Sequence, residues 1–107
     1  MAMEIAKEIG IAAVLEQLAE ECAELGHAAL KLARITRGEN PTPVSKKLAL
    51  EMLHEEGNDV LLCLEELIEY GALSKDETLQ TYKRYRWIDR IKESRGGWNE
   101  SENAKMG

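Results

Sequence analysis

The sequence predicts an all-α protein, a small bundle of long antiparallel helices that is completed by oligomerisation. Three long stretches repeat apolar residues at helical spacing, and the pattern of a β-strand is absent from the sequence. Glycine and proline separate these stretches, as expected where helices end. A chain of 107 residues fits one domain with a modest core. Long amphipathic helices in so short a chain are therefore expected to bury apolar surface against further copies.

The first long helix is predicted over about residues 10–37. A short helical lead-in over residues 2–9 precedes it, and Gly10 separates the two because glycine weakens a helix. Gly38 follows the last helical residue, a position where glycine commonly ends a helix. The residues GENPTP, at positions 38–43, then form a predicted loop because they are rich in glycine, asparagine and proline.

The second long helix is predicted to start at this loop. Thr42 is its expected N-cap, with Pro43 at the first helical position. The helix runs to about Tyr70 and stops at Gly71.

The third long helix is predicted from the capping-box spacing of Ser74 and Glu77, and it runs to about Arg95. Residues 96–107 are polar and rich in glycine, so they are predicted to be a flexible tail. Residues 1–95 are then the single domain.

Charge and composition exclude several classes of function. The formal net charge of −6 argues against a nucleic-acid binder, whose affinity comes mainly from neutralising phosphates. The N-terminus lacks the apolar core of a signal peptide, and no run reaches the roughly 18 apolar residues of a membrane span. A cytoplasmic protein is expected. Cys22 and Cys63 lack metal-binding spacing and are predicted to be small core residues in a reducing compartment.

The basic residues are concentrated towards the C-terminal end. Half of the chain's 14 lysines and arginines lie between residues 75 and 95. They are Lys75, Lys83, Arg84, Arg86, Arg90, Lys92 and Arg95. An acidic metal site beside such a helix would hold an anionic substrate from two sides.

Two acidic clusters interrupt the predicted buried faces. The buried stripe of the first long helix consists of Val14, Leu18, Leu25, Ala28 and Leu32. The stripe of the second consists of Ala49, Leu53, Val60, Cys63 and Leu67. Glu21 and Glu56 occupy the missing positions of these two stripes. Glu24 and Asp59 lie about 60° round their helices from these central acids.

A buried carboxylate without a partner is costly, so these acids need compensating positive charge. A divalent cation such as Mg²⁺, with Mn²⁺ as a substitute, supplies that charge compactly and prefers oxygen ligands. A buried ion-pair network with basic side chains of the third helix is the alternative.

Two histidines stand at the spacing used by di-iron helical bundles, as Glu24-x-x-His27 and Glu51-x-x-His54. Helical geometry places His54 about 160° from Glu56, and His27 likewise faces away from the apolar stripe. Both histidines are predicted to be exposed. Ligation by oxygen alone favours Mg²⁺ or Mn²⁺ over iron or zinc, and a di-iron bundle remains an alternative.

The two acidic motifs, Glu20-Glu21-x-x-Glu24 followed by Glu56-x-x-Asp59, resemble the signature of the MazG-like all-α NTP pyrophosphatases. The apolar run DVLLCLEELIEYG and the basic segment YKRYRWIDRIKES are also similar to that family. The resemblance extends over roughly residues 14–95.

The resemblance implies Mg²⁺-dependent hydrolysis of an NTP or dNTP to the monophosphate and pyrophosphate, by a dimer or tetramer of the chain. It implies that Mg²⁺ is bound by Glu21, Glu24, Glu56 and Asp59. Glu20 is then the remaining catalytic acid, which holds a second metal or orients the attacking water. The implied phosphate-binding residues are Lys83, Arg86 and Arg90.

Two further questions stay open at the level of sequence. Trp87 stacks on the substrate base, or it is a core or interface residue. The chain as a whole is an enzyme, or it is a non-catalytic helical oligomerisation or regulatory module whose inward acids pair with the basic helix.

Overall fold

The computed structural model describes residues 4–39 and 44–96, and these residues form four α-helices and no strand. The helices are α1 (Ile5–Ile9), α2 (Ile11–Arg37), α3 (Lys46–Tyr70) and α4 (Glu77–Ser94). The all-α prediction is confirmed. The chain divides into two compact units between Ser74 and Lys75, so that α1, α2 and α3 belong to the first unit and α4 to the second.

Glycines end the helices of the first unit where the sequence predicted. Gly10 has a φ of +89° and separates α1 from α2. Gly38, at φ +67°, and Gly71, at φ +92°, adopt the left-handed conformation after α2 and α3. Each donates its backbone N–H to carbonyls of the last helical turn, which satisfies acceptors that the helix leaves open.

The start of α3 is later in the chain than predicted. Ser45 is the N-cap, and its Oγ accepts a hydrogen bond from the N–H of Leu48 at 3.1 Å. The predicted cap, Thr42, and the predicted first residue, Pro43, lie outside the described residues.

The predicted capping box at the start of α4 is wrong. Asp76 is the N-cap, and its Oδ1 accepts from the N–H of Leu79 at 2.9 Å, so that Glu77 is the first helical residue. A carboxylate at this position satisfies a free N–H and also interacts favourably with the positive end of the helix dipole. Ser74 therefore precedes the helix without capping it.

Helices α2 and α3 pack as an antiparallel pair. Val14 lies in the same buried cluster as Leu67, and a Cβ at Gly57 would lie 4.0 Å from Leu25. Contacts nearer the end of α2 therefore involve residues nearer the start of α3. The short helix α1 packs against both, and the N–H of Ala6 donates to Oε1 of Glu66 at 3.3 Å.

Six of the ten predicted stripe residues are buried, and the other four, Leu18, Leu25, Leu32 and Leu53, are half-buried. The buried apolar residues are Ala6, Val14, Ala28, Ala49, Val60, Cys63 and Leu67. Cys63 is buried as predicted, but Cys22 is exposed, so the prediction for Cys22 is wrong. The reason is helical phase, since Cys22 lies about 80° round α2 from the buried stripe.

The two flanks of the α2–α3 pair differ in chemistry. One flank carries large exposed apolar residues at about 100° to 160° from the buried stripes. They are Leu15, Leu30, Leu50, Leu61 and Ile68. The other flank carries Glu24 and Asp59. The first flank is therefore the richer in exposed apolar side chains, although Leu48 is exposed on the acidic flank.

Within the described part of the chain, none of the helices combines the length and the apolar character needed to cross a membrane.

Candidate metal centre

Three carboxylates converge where α2 and α3 face each other. Glu21 of α2, with Glu56 and Asp59 of α3, each contribute an oxygen, and these oxygens all lie within 4.8 Å of one another. Glu21 and Glu56 are half-buried because they occupy core positions of the two helices. The antiparallel packing thus brings together three of the four acids predicted to bind a metal.

Negative charge accumulates at this point. The pKa of Glu56 is raised above its ordinary value, chiefly because burial disfavours the charged form and then because Asp59, Glu24 and Glu21 are close. The pKa of the Cys63 thiol is also raised, first by burial and then by Glu21 and Asp59.

Basic side chains of the first unit do not neutralise the cluster. Within residues 4–39 and 44–74, the ion pairs are Lys7 with Glu4 and Arg37 with Glu39, and neither involves the three converging acids. The charge at the cluster is therefore uncompensated inside the α2–α3 pair, as a cation site requires.

Gln17 orients one of the carboxylates, a role that the sequence did not predict. Its Nε2 donates to Oε1 of Glu21 at 2.7 Å across one helical turn. The spacing of four residues was a usable signal, because side chains at i and i+4 are neighbours on a helix.

The two remaining acids of the first motif lie apart from the converging group. Glu24 is exposed and borders a groove beside Glu56, one turn along α2 from Glu21. Glu20 is exposed as well. Both therefore reach solvent.

A groove of about 300 Å³ extends from the acids along α2. Its lining combines acidic, basic and apolar side chains from both helices. They are Glu24, His27, Ala28, Lys31, Arg34, Met52 and Glu56. Lys31 and Arg34 were not predicted as site residues, although they follow Glu24 at spacings of seven and ten residues, which keeps them near one face of the helix.

Both histidines are exposed, as predicted. Neither belongs to the converging group, whose ligand atoms in the described residues are all carboxylate oxygens. His27 borders the groove beside Glu24, whereas the backbone carbonyl of His54 accepts a hydrogen bond from Asn58 at 2.8 Å. An oxygen donor set of this kind fits a hard divalent cation such as Mg²⁺ or Mn²⁺.

The predicted phosphate-binding residues lie in the second unit. Lys83, Arg86 and Arg90 border a hollow of about 430 Å³ along α4, together with Gln80, Arg84 and Trp87. Trp87 is 65% exposed and belongs to the second unit. Base stacking and a core or interface position remain the alternatives.

Comparison with protein-family models, with curated proteins and with solved structures finds no match to this chain. The resemblance to the MazG-like all-α NTP pyrophosphatases therefore stays a prediction from the order and spacing of its acidic motifs.

Proposed function

We propose that the protein is a Mg²⁺-dependent nucleoside triphosphate pyrophosphohydrolase, which hydrolyses an NTP or dNTP to the monophosphate and pyrophosphate. The observation that carries the proposal is the convergence of Glu21, Glu56 and Asp59 within 4.8 Å. These acids belong to the two motifs on which the resemblance rests, and Glu21 and Glu56 occupy core positions where a purely structural helix would place apolar residues.

The acids hold the metal in this proposal, and each has a distinct part. Glu21 and Glu56 face each other across the helix pair, Asp59 closes the group, and Gln17 keeps the Glu21 carboxylate in place. Glu24 extends the acidic surface into the groove, next to the place where substrate phosphates enter. Glu20 is the remaining acid, available for a second cation or for orienting water. Bound Mg²⁺ supplies neutralisation of phosphate charge and activation of the attacking water.

The reaction breaks the P–O bond of the anhydride between the α- and β-phosphates. The oxygen of water forms the new bond to phosphorus, and the bridging oxygen leaves with the other product. The carboxylates act in their ionised form. Because the pKa of Glu56 is raised, metal binding and proton binding compete at this residue, and activity should fall at acid pH.

Several further assignments belong to the same proposal. Lys83, Arg86 and Arg90 on α4 are expected to contact phosphate oxygens, and Trp87 is available for stacking on the base. The exposed apolar flank of α2 and α3 supports a homo-oligomer, either a dimer or a tetramer, since large contiguous apolar patches commonly mark interfaces. We expect a cytoplasmic location.

Activity is tested with a panel of common and modified NTPs and dNTPs, scored by release of pyrophosphate in the presence of Mg²⁺. Glu56→Gln should abolish turnover, because it removes a charged ligand and leaves the side-chain volume almost unchanged. Glu65→Gln is the matched control, since Glu65 is an exposed glutamate on the same helix outside the cluster. Circular dichroism checks that both variants remain helical.

Two results would contradict the proposal. One is the absence of pyrophosphate release from every nucleotide in the panel. The other is a Glu56→Gln variant that retains the wild-type rate.

A thermal melt separates the enzyme from a non-catalytic module. Mg²⁺ or Mn²⁺ should raise the Tm of the enzyme, because a ligand that binds the folded state stabilises it. A module whose acids pair with the basic helix should respond little. A di-iron bundle would instead show iron-dependent absorbance that is lost on mutating His27 or His54.

A further inference from the structure

The groove between α2 and α3 has an acidic end and a basic end. Glu24 and Glu56 border it beside the converging carboxylates, whereas Lys31 and Arg34 border it further along α2. Opposite charges along one groove suit a ligand that is itself divided into a metal-bound part and a free anionic part.

Lys31 and Arg34 lack partners among the described residues of the first unit. Two cations elsewhere in this unit do make ion pairs, since Lys7 pairs with Glu4 at 2.7 Å and Arg37 with Glu39 at 3.3 Å. The described carboxylates that border the same groove make no ion pair with Lys31 or Arg34. Two neighbouring cations without an acidic partner repel each other, and an anion between them relieves this repulsion.

The dimensions of the groove fit a chain of phosphates. The axial rise from Glu24 to Lys31 is about 10 Å, which is comparable with the extent of a triphosphate. The volume of about 300 Å³ lies at the lower limit for a small-molecule site. Such a volume accommodates the phosphates and leaves the base and sugar outside. Met52 and Ala28 provide an apolar floor, so the charged side chains and His27 are the polar contacts available.

We propose that Lys31 and Arg34 bind the pyrophosphate end of the substrate, and hence the pyrophosphate product, while the acidic cluster holds the metal next to the scissile anhydride. This inference rests on the proposed function and refines it. The α2–α3 pair then carries both the metal site and a phosphate site. The guanidinium of Arg34 suits two phosphate oxygens at once, and the ammonium of Lys31 provides a point charge.

The test is direct binding of inorganic pyrophosphate by titration calorimetry, with Mg²⁺ and again with EDTA. The double variant Lys31→Gln/Arg34→Gln should bind pyrophosphate at least tenfold more weakly than the wild type under whichever condition supports binding. Lys31→Arg should retain most of the affinity because it keeps the charge. Lys47→Gln is the control, since Lys47 is an exposed lysine of the same unit that does not line the groove.

A second readout distinguishes phosphate binding from a general loss of structure. The double variant should retain the Mg²⁺-dependent rise in Tm, because removing cations near the acids does not weaken their hold on a metal. With a nucleotide substrate, the variant should raise KM more than it lowers kcat, since the lost contacts act on the ground state as well as on the transition state.

The failures of the two proposals are distinguishable. If the double variant binds pyrophosphate as tightly as the wild type, Lys31 and Arg34 are not the phosphate site, and metal binding and turnover stand unaffected. The same conclusion follows if Lys83→Gln weakens binding and the double variant does not. If instead the wild type shows neither a Mg²⁺ response nor turnover, the proposed function fails, while a loss of pyrophosphate binding in the double variant, measured in EDTA, still supports the anion site. The absence of any binding of pyrophosphate to the wild type overturns the inference.

Discussion

At Glu56, burial and the neighbouring negative charges both disfavour the ionised carboxylate. Its pKa is raised by burial and by four neighbouring acids, which means that the folded protein binds its proton more tightly than the unfolded chain does. Where the folded state binds more protons, stability falls as pH rises. Without metal, Glu56 therefore destabilises the fold above its raised pKa, and this effect is relieved as pH falls towards the ordinary carboxyl range.

Glu56→Gln should raise the Tm of the metal-free protein at neutral pH. The variant should also lack the part of the decline in Tm with rising pH that the raised pKa of Glu56 contributes. The difference in Tm between wild type and variant, measured in EDTA from about pH 4 to pH 8, isolates this contribution from other carboxylates.

In the presence of Mg²⁺ the wild type should have the higher Tm of the two, because Mg²⁺ stabilises the wild type more than the Glu56→Gln variant. Glu65→Gln, the exposed control, should follow the wild type both in EDTA and in Mg²⁺. A Glu56→Gln variant that is less stable than the wild type in EDTA at neutral pH would contradict the proposed electrostatic strain.

At the scale of the element, α3 has residues that favour a helix boundary at each end and a residue of low helix propensity in its interior. Ser45 caps its first turn and Gly71 ends it, but Gly57 lies in the helix interior between Glu56 and Asp59. Glycine in a helix interior destabilises by roughly 0.5–1 kcal/mol relative to alanine. A Cβ at this position would lie 4.0 Å from Cδ1 of Leu25, which is an ordinary van der Waals contact.

Gly57→Ala should therefore stabilise the protein by up to about 1 kcal/mol, because helix propensity improves without overpacking. Gly71→Ala is the opposite case, since its φ of +92° is strained for any residue with a Cβ, and it should lower the Tm. Urea denaturation of both variants measures the two effects. A destabilised Gly57→Ala variant would show that α2 and α3 approach more closely than the 4.0 Å contact indicates.

The helix boundaries also show which features of the fold can be predicted from local sequence signals. Gly10, Gly38 and Gly71 end or separate helices where the sequence predicted, because a residue with a positive φ is a local requirement there. At α4 the prediction failed because Ser74 and Asp76 both offer N-cap side chains two residues apart. The side chain of Asp76 is the one that accepts from the N–H of Leu79, and the spacing of Ser74 and Glu77 does not contain this information.

At the scale of the whole molecule, the apolar flank of α2 and α3 is surface that a single chain leaves exposed. Leu61 is 54% exposed on this flank, whereas the next residue, Leu62, is 51% exposed and points away from it. The two leucines are adjacent, chemically identical and almost equally exposed. They form a matched pair for testing the oligomer.

Leu61→Glu should reduce the oligomer to a smaller species, because it places a charge in the proposed interface. Leu62→Glu should leave the oligomeric state unchanged. Light scattering coupled to size-exclusion chromatography measures the mass of each. A monomeric wild type, or an equal effect of the two substitutions, would contradict assembly through this flank.

The sequence by itself determined the class of fold, most helix ends and the misplaced acids. These depend on local periodicity and on end signals, which operate within one or two helical turns. Glu21 and Glu56 interrupt apolar stripes whatever the partner helix is, so they were identifiable before the helices were packed.

The tertiary structure alone decided which charged groups meet. The register of α2 against α3, set by distant contacts such as Val14 with Leu67, brings Glu21 to Glu56 and Asp59 and leaves Glu24 in the adjoining groove. The same register places Lys31 and Arg34 at the far end of that groove. A shift of one helical turn moves side chains by about 5 Å, so spacing along one helix does not specify a site formed by two.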